Sequence, residues 1–253
     1  MMKCKLCLSY HPKLIEAHII PKSFYNRSAN SPWGIHEERS PYRVIRVDKG
    51  ILTSKKSPNG IYDPTIVCSE CEKKFNQFDK HGYEVLSRSF LNKIIQHDLL
   101  TNQPLYLIED VDFNKLKLFF LSMLWRAHAS SKPLFSSVDL GTHEPILRSY
   151  ILEGKTPLKD EYEVILFCRT NTNSDVGFQP QKCTIDGVDF YNFYIPPRFY
   201  ALIKMDRKSL PKQYERFSLK ETKLKQFCMI LYDYGDSKEE QIAVENLFNY
   251  FRA

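Results

Sequence analysis

The sequence predicts an α+β protein, with a zinc-stabilised N-terminal domain at residues 1–100 and a mixed helix and antiparallel-sheet domain at 101–253. Three observations predict it. Two Cys-x-x-Cys pairs, Cys4/Cys7 and Cys68/Cys71, bracket the first seventy residues. Behind the second pair, Phe75, Phe78, Val85, Leu86, Phe90, Ile94 and Ile95 recur mostly at helical steps, which makes one apolar stripe. Residues 162–206 then change to runs rich in β-branched and aromatic side chains, separated by Asp186-Gly187 and Pro196-Pro197, in the manner of an antiparallel sheet.

The cysteine pairs carry the first chemistry. Four thiolates are what a tetrahedral structural zinc takes, and a two-residue gap lets a tight turn aim both sulfurs at one metal. The competing readings are four unrelated buried thiols or a redox pair. The chain has seven cysteines, an odd number with four in metal spacing, which fits a reducing compartment and not a disulfide scaffold. Cys168, Cys183 and Cys228 have no such spacing and read as small structural residues. No signal-like or bilayer-length apolar run is present, since the longest near-apolar stretch is Leu118 to Trp125, so a cytoplasmic protein without membrane contact is expected.

Charge divides unevenly. Residues 1–100 hold 16 Lys and Arg against 10 Asp and Glu, while residues 101–253 hold 20 of each. The whole positive excess therefore lies with the cysteine pairs, where it suits a phosphate backbone, since neutralising phosphates releases counterions.

Between the pairs, Ala17-His18-Ile19-Ile20 reads as a short strand ended by Pro21. Asn26 to Pro41 reads as loop around Trp33. Two short runs about Asp48-Lys49-Gly50 form an expected hairpin whose Arg43, Arg46, Lys49, Lys55 and Lys56 are candidate phosphate contacts. A helix is expected from Ser69, with Gly82 a place to bend. The polar stretch Gln96 to Pro104 marks the expected domain boundary. Beyond it come a strand at 105–108 and a helix at about 113–129, apolar nearly all round and hence buried. Another helix is expected after Thr142, with a capping hydroxyl, an early Pro145 and an end at Gly154. Phe227 to Tyr232 reads as strand or helix, and Ser237 opens a C-terminal amphipathic helix.

The order Cys-x-x-Cys, Glu16-Ala17-His18-Ile19-Ile20-Pro21, then Asp63 five residues before the second pair and Glu72 directly after it, resembles the zinc-knuckled HNH (ββα-metal) nuclease family over about residues 1–95. The resemblance implies a ββα fold, with His18 as the general base that activates water. It sets Asp63 where the family has a supporting Asn, and Glu72 where a metal-binding His opens the helix. Mg²⁺ or Mn²⁺ on Asp63 and Glu72 would be the catalytic ion, beside the structural zinc. Ala17 departs from the family pattern, since many members carry a ligand there. The implied function is hydrolysis of DNA phosphodiesters, in a restriction or phage-defence setting where a partner protein of that system is also expected. The alternative is an inactive zinc-knuckle module that binds nucleic acid or a partner protein.

Overall fold

The computed structural model describes every residue except 26–42, 49–50, 57–59, 92–94, 100–101, 103, 159, 170–175, 178–179, 197 and 233–253. Strands in 43–56 are described without their side chains. Trp33, Tyr42, Lys49 and the helix expected from Ser237 therefore lie outside the described residues.

The chain opens with β1 (Met2–Lys3) and β2 (Tyr10–His11), an antiparallel pair that closes the first cysteine turn. In that turn the Leu8 amide donates to the Cys4 carbonyl at 2.9 Å, and Leu8 takes a φ of 62°. A non-glycine residue there costs about 1–2 kcal/mol, which the cysteine turn must offset. Next come β3 (Ile15–His18), β4 (Arg43–Asp48), β5 (Ile51–Lys56) and β6 (Tyr62–Val67). β4 and β5 pair antiparallel through Asp48 and Ile51, as the hairpin reading expects. β3 pairs with β6, setting Ala17 opposite Asp63 and His18 opposite Tyr62.

Helix α1 (Ser69–Leu91) follows β6 at once. Glu70 and Glu72 in its first turn suit the positive end of the helix dipole. Gly82 does not break it. Its missing side chain instead admits a ring from the next helix, since a Cβ at this position would lie 2.5 Å from Phe119 Cγ.

The remaining elements are β7 (Ile95–His97), β8 (Pro104–Ile108), α2 (Phe113–Ala129), α3 (Glu144–Glu153), β9 (Val164–Arg169), β10 (Val176–Gly177), β11 (Gln181–Ile185), β12 (Val188–Ile195), β13 (Phe199–Lys204) and β14 (Phe227–Tyr232). Seven strands make one sheet in the order β11-β12-β13-β9-β14-β8-β7, and β10 adds in parallel to β4 beside β5. The ambiguous run at 227–232 is thus a strand, paired parallel to β9 and antiparallel to β8. Every residue of β9 and β13 is buried, so both faces of the sheet are covered there. α3 ends at Gly154 in the left-handed conformation, but begins without the expected hydroxyl cap from Thr142.

α2 is the centre of the molecule. Of its 17 residues 14 are buried, which a helix apolar nearly all round requires. The expected boundary near residue 100 does not interrupt the core: β7 pairs with β8 across it, and buried side chains of residues 1–100 and 101–253 form one contiguous cluster. No helix among the described residues is long and apolar enough to cross a membrane.

Candidate functional site

The four paired cysteines converge. Their sulfurs all lie within 4.8 Å of one another, and Cys4 Sγ is 3.6 Å from Cys71 Sγ. Zinc–sulfur bonds of about 2.3 Å in a tetrahedron put sulfurs about 3.8 Å apart, so the donor set fits that ion. Cys4 and Cys7 come from the β1–β2 turn, and Cys68 and Cys71 from the junction of β6 and α1. The Cys68 amide donates to Cys4 Sγ at 3.4 Å, and His11 Nε2 is 3.6 Å from Cys7 Sγ, so both pairs have supporting contacts. Burial and the neighbouring Cys4 charge push Cys71 well up, and burial raises Cys4 as well. Cys7 differs: burial acts upward, but the Ser9 amide, His11 and the other sulfurs outweigh it and hold the thiol at about 6. Four thiolates this close, three of them buried, repel one another, and a cation among them removes the conflict.

His18 ends β3, half-buried, with its ring 5.8 Å from that of Tyr62. The His18 carbonyl accepts from Arg126 Nη1 at 2.7 Å. Arg126 rises from α2, fully buried, and also grips Asp79 of α1 with both terminal nitrogens, at 2.9 and 2.7 Å. Its guanidinium lies 4.7 Å over the Phe75 ring. Burial pushes the Asp79 carboxyl up, against the pull of Arg126 and of His18. One buried cation therefore ties the end of β3 to both long helices.

Glu72 stands in the first turn of α1, next to Cys71, and its Oε2 is buried without a hydrogen-bond partner. Burial raises this carboxyl; Arg126 opposes the shift and Asp79 adds to it. His18 and Glu72 are thus both within the electrostatic reach of the Arg126–Asp79 pair.

Asp63 is placed differently from the expectation that it shares an ion with Glu72. Directly opposed residues in a ladder share a face and neighbours alternate, so Asp63 points with Ala17 to the face opposite His18 and Tyr62. Its side chain is wholly buried and accepts five hydrogen bonds. The Thr65 amide and hydroxyl reach Oδ1 at 2.9 and 2.6 Å. The Ser130 hydroxyl and the Ser131 amide and hydroxyl reach Oδ2 at 2.9, 2.7 and 2.9 Å. Asp63 thereby pins β6 to the end of α2, where Lys5 Nζ also meets the Ala129 carbonyl at 2.5 Å. Among the described residues the cysteines are the one group of three or more Cys, His, Asp or Glu donors that close together. The expected trio of His18, Asp63 and Glu72 is not such a group.

These contacts give Asp63 a test of its own. Burial would raise its carboxyl, but the donors of Thr65 and Ser131 win and hold it well below the usual carboxylate range. A depressed folded value contributes stability that is present above the unfolded value, about 3.9, and is lost as pH falls from there toward the folded one. Asp63→Asn is expected to be destabilised at pH 7, and its deficit in urea unfolding should shrink steadily as pH falls below about 3.9 toward the depressed folded value. Asp63→Ala, which strands the buried donors, should cost on the order of 3 kcal/mol.

Arg126 and Asp79 are site residues that no motif or ligand spacing in the sequence marks. A signal was present. A charge inside a helix apolar on all sides demands a buried partner, and Asp79 lies four residues after Phe75 on the core stripe of α1. Arg43, Arg46, Lys55 and Lys56 fall on β4 and β5, and their side chains, like Lys49, lie outside the described residues. No family model, curated protein or solved structure matches the chain.

Proposed function

We propose that the chain is an HNH-like, metal-dependent endonuclease acting on DNA, with His18 as general base and Glu72 as carboxylate ligand for a Mg²⁺-class ion. One observation carries this reading: β3, β6 and α1 form two antiparallel strands and a helix locked by the four-cysteine centre, which bring His18 and a buried Glu72 oxygen without a partner to the same buried ion pair. Asp63 fits the supporting position of the family pattern and not that of a ligand, because both its oxygens are engaged.

In this reading the His18 imidazole takes a proton from the attacking water. The Arg126–His18 carbonyl bond fixes the base against rotation of its strand end. Glu72 Oε2, desolvated and unpaired, is an atom that a cation stabilises. A divalent ion held by Glu72 would supply positive charge against the leaving oxygen. Glu72→Ala is expected to lower cleavage of plasmid DNA by about tenfold or more and to be partly rescued by excess Mn²⁺. A Glu72→Ala rate equal to the parent's removes Glu72 from the mechanism.

Substrate binding rests on charge. All the net positive charge lies in residues 1–100, and Arg43 and Arg46 share β4. Neutralising Arg43, Arg46 and Lys49 should weaken binding to every DNA sequence and flatten the log–log salt dependence by about 0.9 per lost phosphate contact. An unchanged slope excludes the hairpin.

A second reading is favoured by Ala17 and by the engaged oxygens of Asp63, which leave few ligands for a catalytic ion. The chain would then be a zinc-knuckle module that binds nucleic acid or a partner protein. Retained DNA binding without cleavage under Mg²⁺ or Mn²⁺ selects it.

A further inference from the structure

Two clefts flank the N-terminal turn of α2, and neither is lined by His18 or Glu72. One, of about 530 Å³, lies between that turn, the segment after α3 and residues 219–223. This volume is in the range of small-molecule sites. Phe113, Pro157 and Leu219 give it apolar walls, with Thr156 beside them. Three lysines against the single carboxylate of Glu221 make it cationic.

Lys117 is the unusual member. Only 6% of its surface is exposed, and its one hydrogen bond among the described residues is long, 3.4 Å to the Leu158 carbonyl. Glu163, the buried carboxylate whose charge it feels, is already taken by Lys204 at 2.5 Å and by the Ser218 hydroxyl at 3.1 Å. Burial therefore lowers the Lys117 ammonium to about 8, with Lys204 adding to the shift, against the pull of Glu163, Glu161 and Asp160. A buried cation held by one long hydrogen bond is costly unless something anionic meets it. Of the other two lysines, Lys220 is committed to the Glu215 carbonyl at 3.0 Å, and Lys223 stands exposed at the rim. The N-terminal turn of α2 borders the same cleft, with its own positive end already met by the Asp112 cap, which accepts from the Lys115 amide at 3.0 Å.

We propose that this cleft is a binding site for a phosphate monoester of nucleoside-monophosphate size, with its phosphate between Lys117 and Lys223 and its flat body against Phe113, Pro157 and Leu219. The site is independent of the nuclease reading. A dianionic phosphate matches two lysines better than a singly charged carboxylate does. The apolar walls favour a ligand with a body over inorganic phosphate alone. Occupation also restores the full charge of Lys117, so binding near pH 8 takes up a proton.

Isothermal titration of the full chain with adenosine monophosphate, inorganic phosphate and adenosine tests this. The expected result is saturable binding of the monophosphate, weaker binding of inorganic phosphate and none of adenosine, with affinity falling as pH rises through 8. Lys117→Met should weaken monophosphate binding by about tenfold or more, the scale of one lost charged hydrogen bond. Lys223→Glu, at an exposed position that leaves the fold intact, should weaken it severalfold and serves if Lys117→Met does not fold. Absence of saturable binding up to about 10 mM, adenosine binding as well as the monophosphate, or affinity unmoved by the variants overturns the proposal.

Discussion

Cys68→Ser is expected to abolish the folded state, and a strong chelator is expected to do the same to the parent. Structural zinc on cysteines supplies on the order of 10 kcal/mol of apparent binding free energy, which is also folding free energy. That matches the whole net stability of an ordinary domain, about 5–15 kcal/mol. The loss does not stay local. Cys4, Cys68 and Cys71 belong to the same buried cluster as α2 and the seven-stranded sheet, and the Cys68 amide bonds Cys4 Sγ. Metal analysis should give one zinc per chain, and circular dichroism of the variant should show lost structure at temperatures where the parent is folded. A chain without zinc, or a Cys68→Ser melt that overlays the parent's, contradicts the assignment.

The parts of the fold legible in the sequence are those with a strong local period. α2 occupies Phe113–Ala129 as its all-round apolar run requires, and β12 spans Val188–Ile195 between Asp186-Gly187 and Pro196 as its turn residues dictate. The cysteine group was legible for another reason, since ligand spacing is itself a geometric constraint. What escaped was pairing at a distance. β10 has only two residues, Val176–Gly177, and acquires its strand character from β4, far away in sequence. β7 lies in a polar stretch that reads as a boundary, yet β8 recruits it into the large sheet. The surroundings of Asp63 were hidden for the same reason. The position of Asp63 before Cys68 is visible in the chain, but the side it faces is set by its register against Ala17, and its partners come from residues 130 and 131. Gly82 shows the converse, a residue read as a place to bend that instead makes room for the Phe119 ring against α1.

The second large effect concerns His18, and it separates the enzyme from the binding module. His18→Ala removes a half-buried ring at the end of β3, while the strand's anchor, the bond from Arg126 to the residue-18 carbonyl, involves only backbone at that position. The fold, the zinc content and the affinity for DNA should therefore survive the substitution. In the proposed mechanism the lost ring is the proton acceptor, and a positioned base is worth about 10²–10⁴-fold in rate. Arg126 is a poor substitute test, since its removal leaves the buried Asp79 carboxylate uncompensated, at about 3–5 kcal/mol. The decisive measurement is cleavage of supercoiled plasmid DNA by the zinc-loaded chain with Mg²⁺ or Mn²⁺, beside His18→Ala purified identically and shown to melt at the parental temperature. The account predicts nicked and linear product from the parent and a loss of about 10²–10⁴-fold in the variant. Cleavage by His18→Ala at the parental rate, or a parent inert under both metals while it still binds DNA, contradicts it.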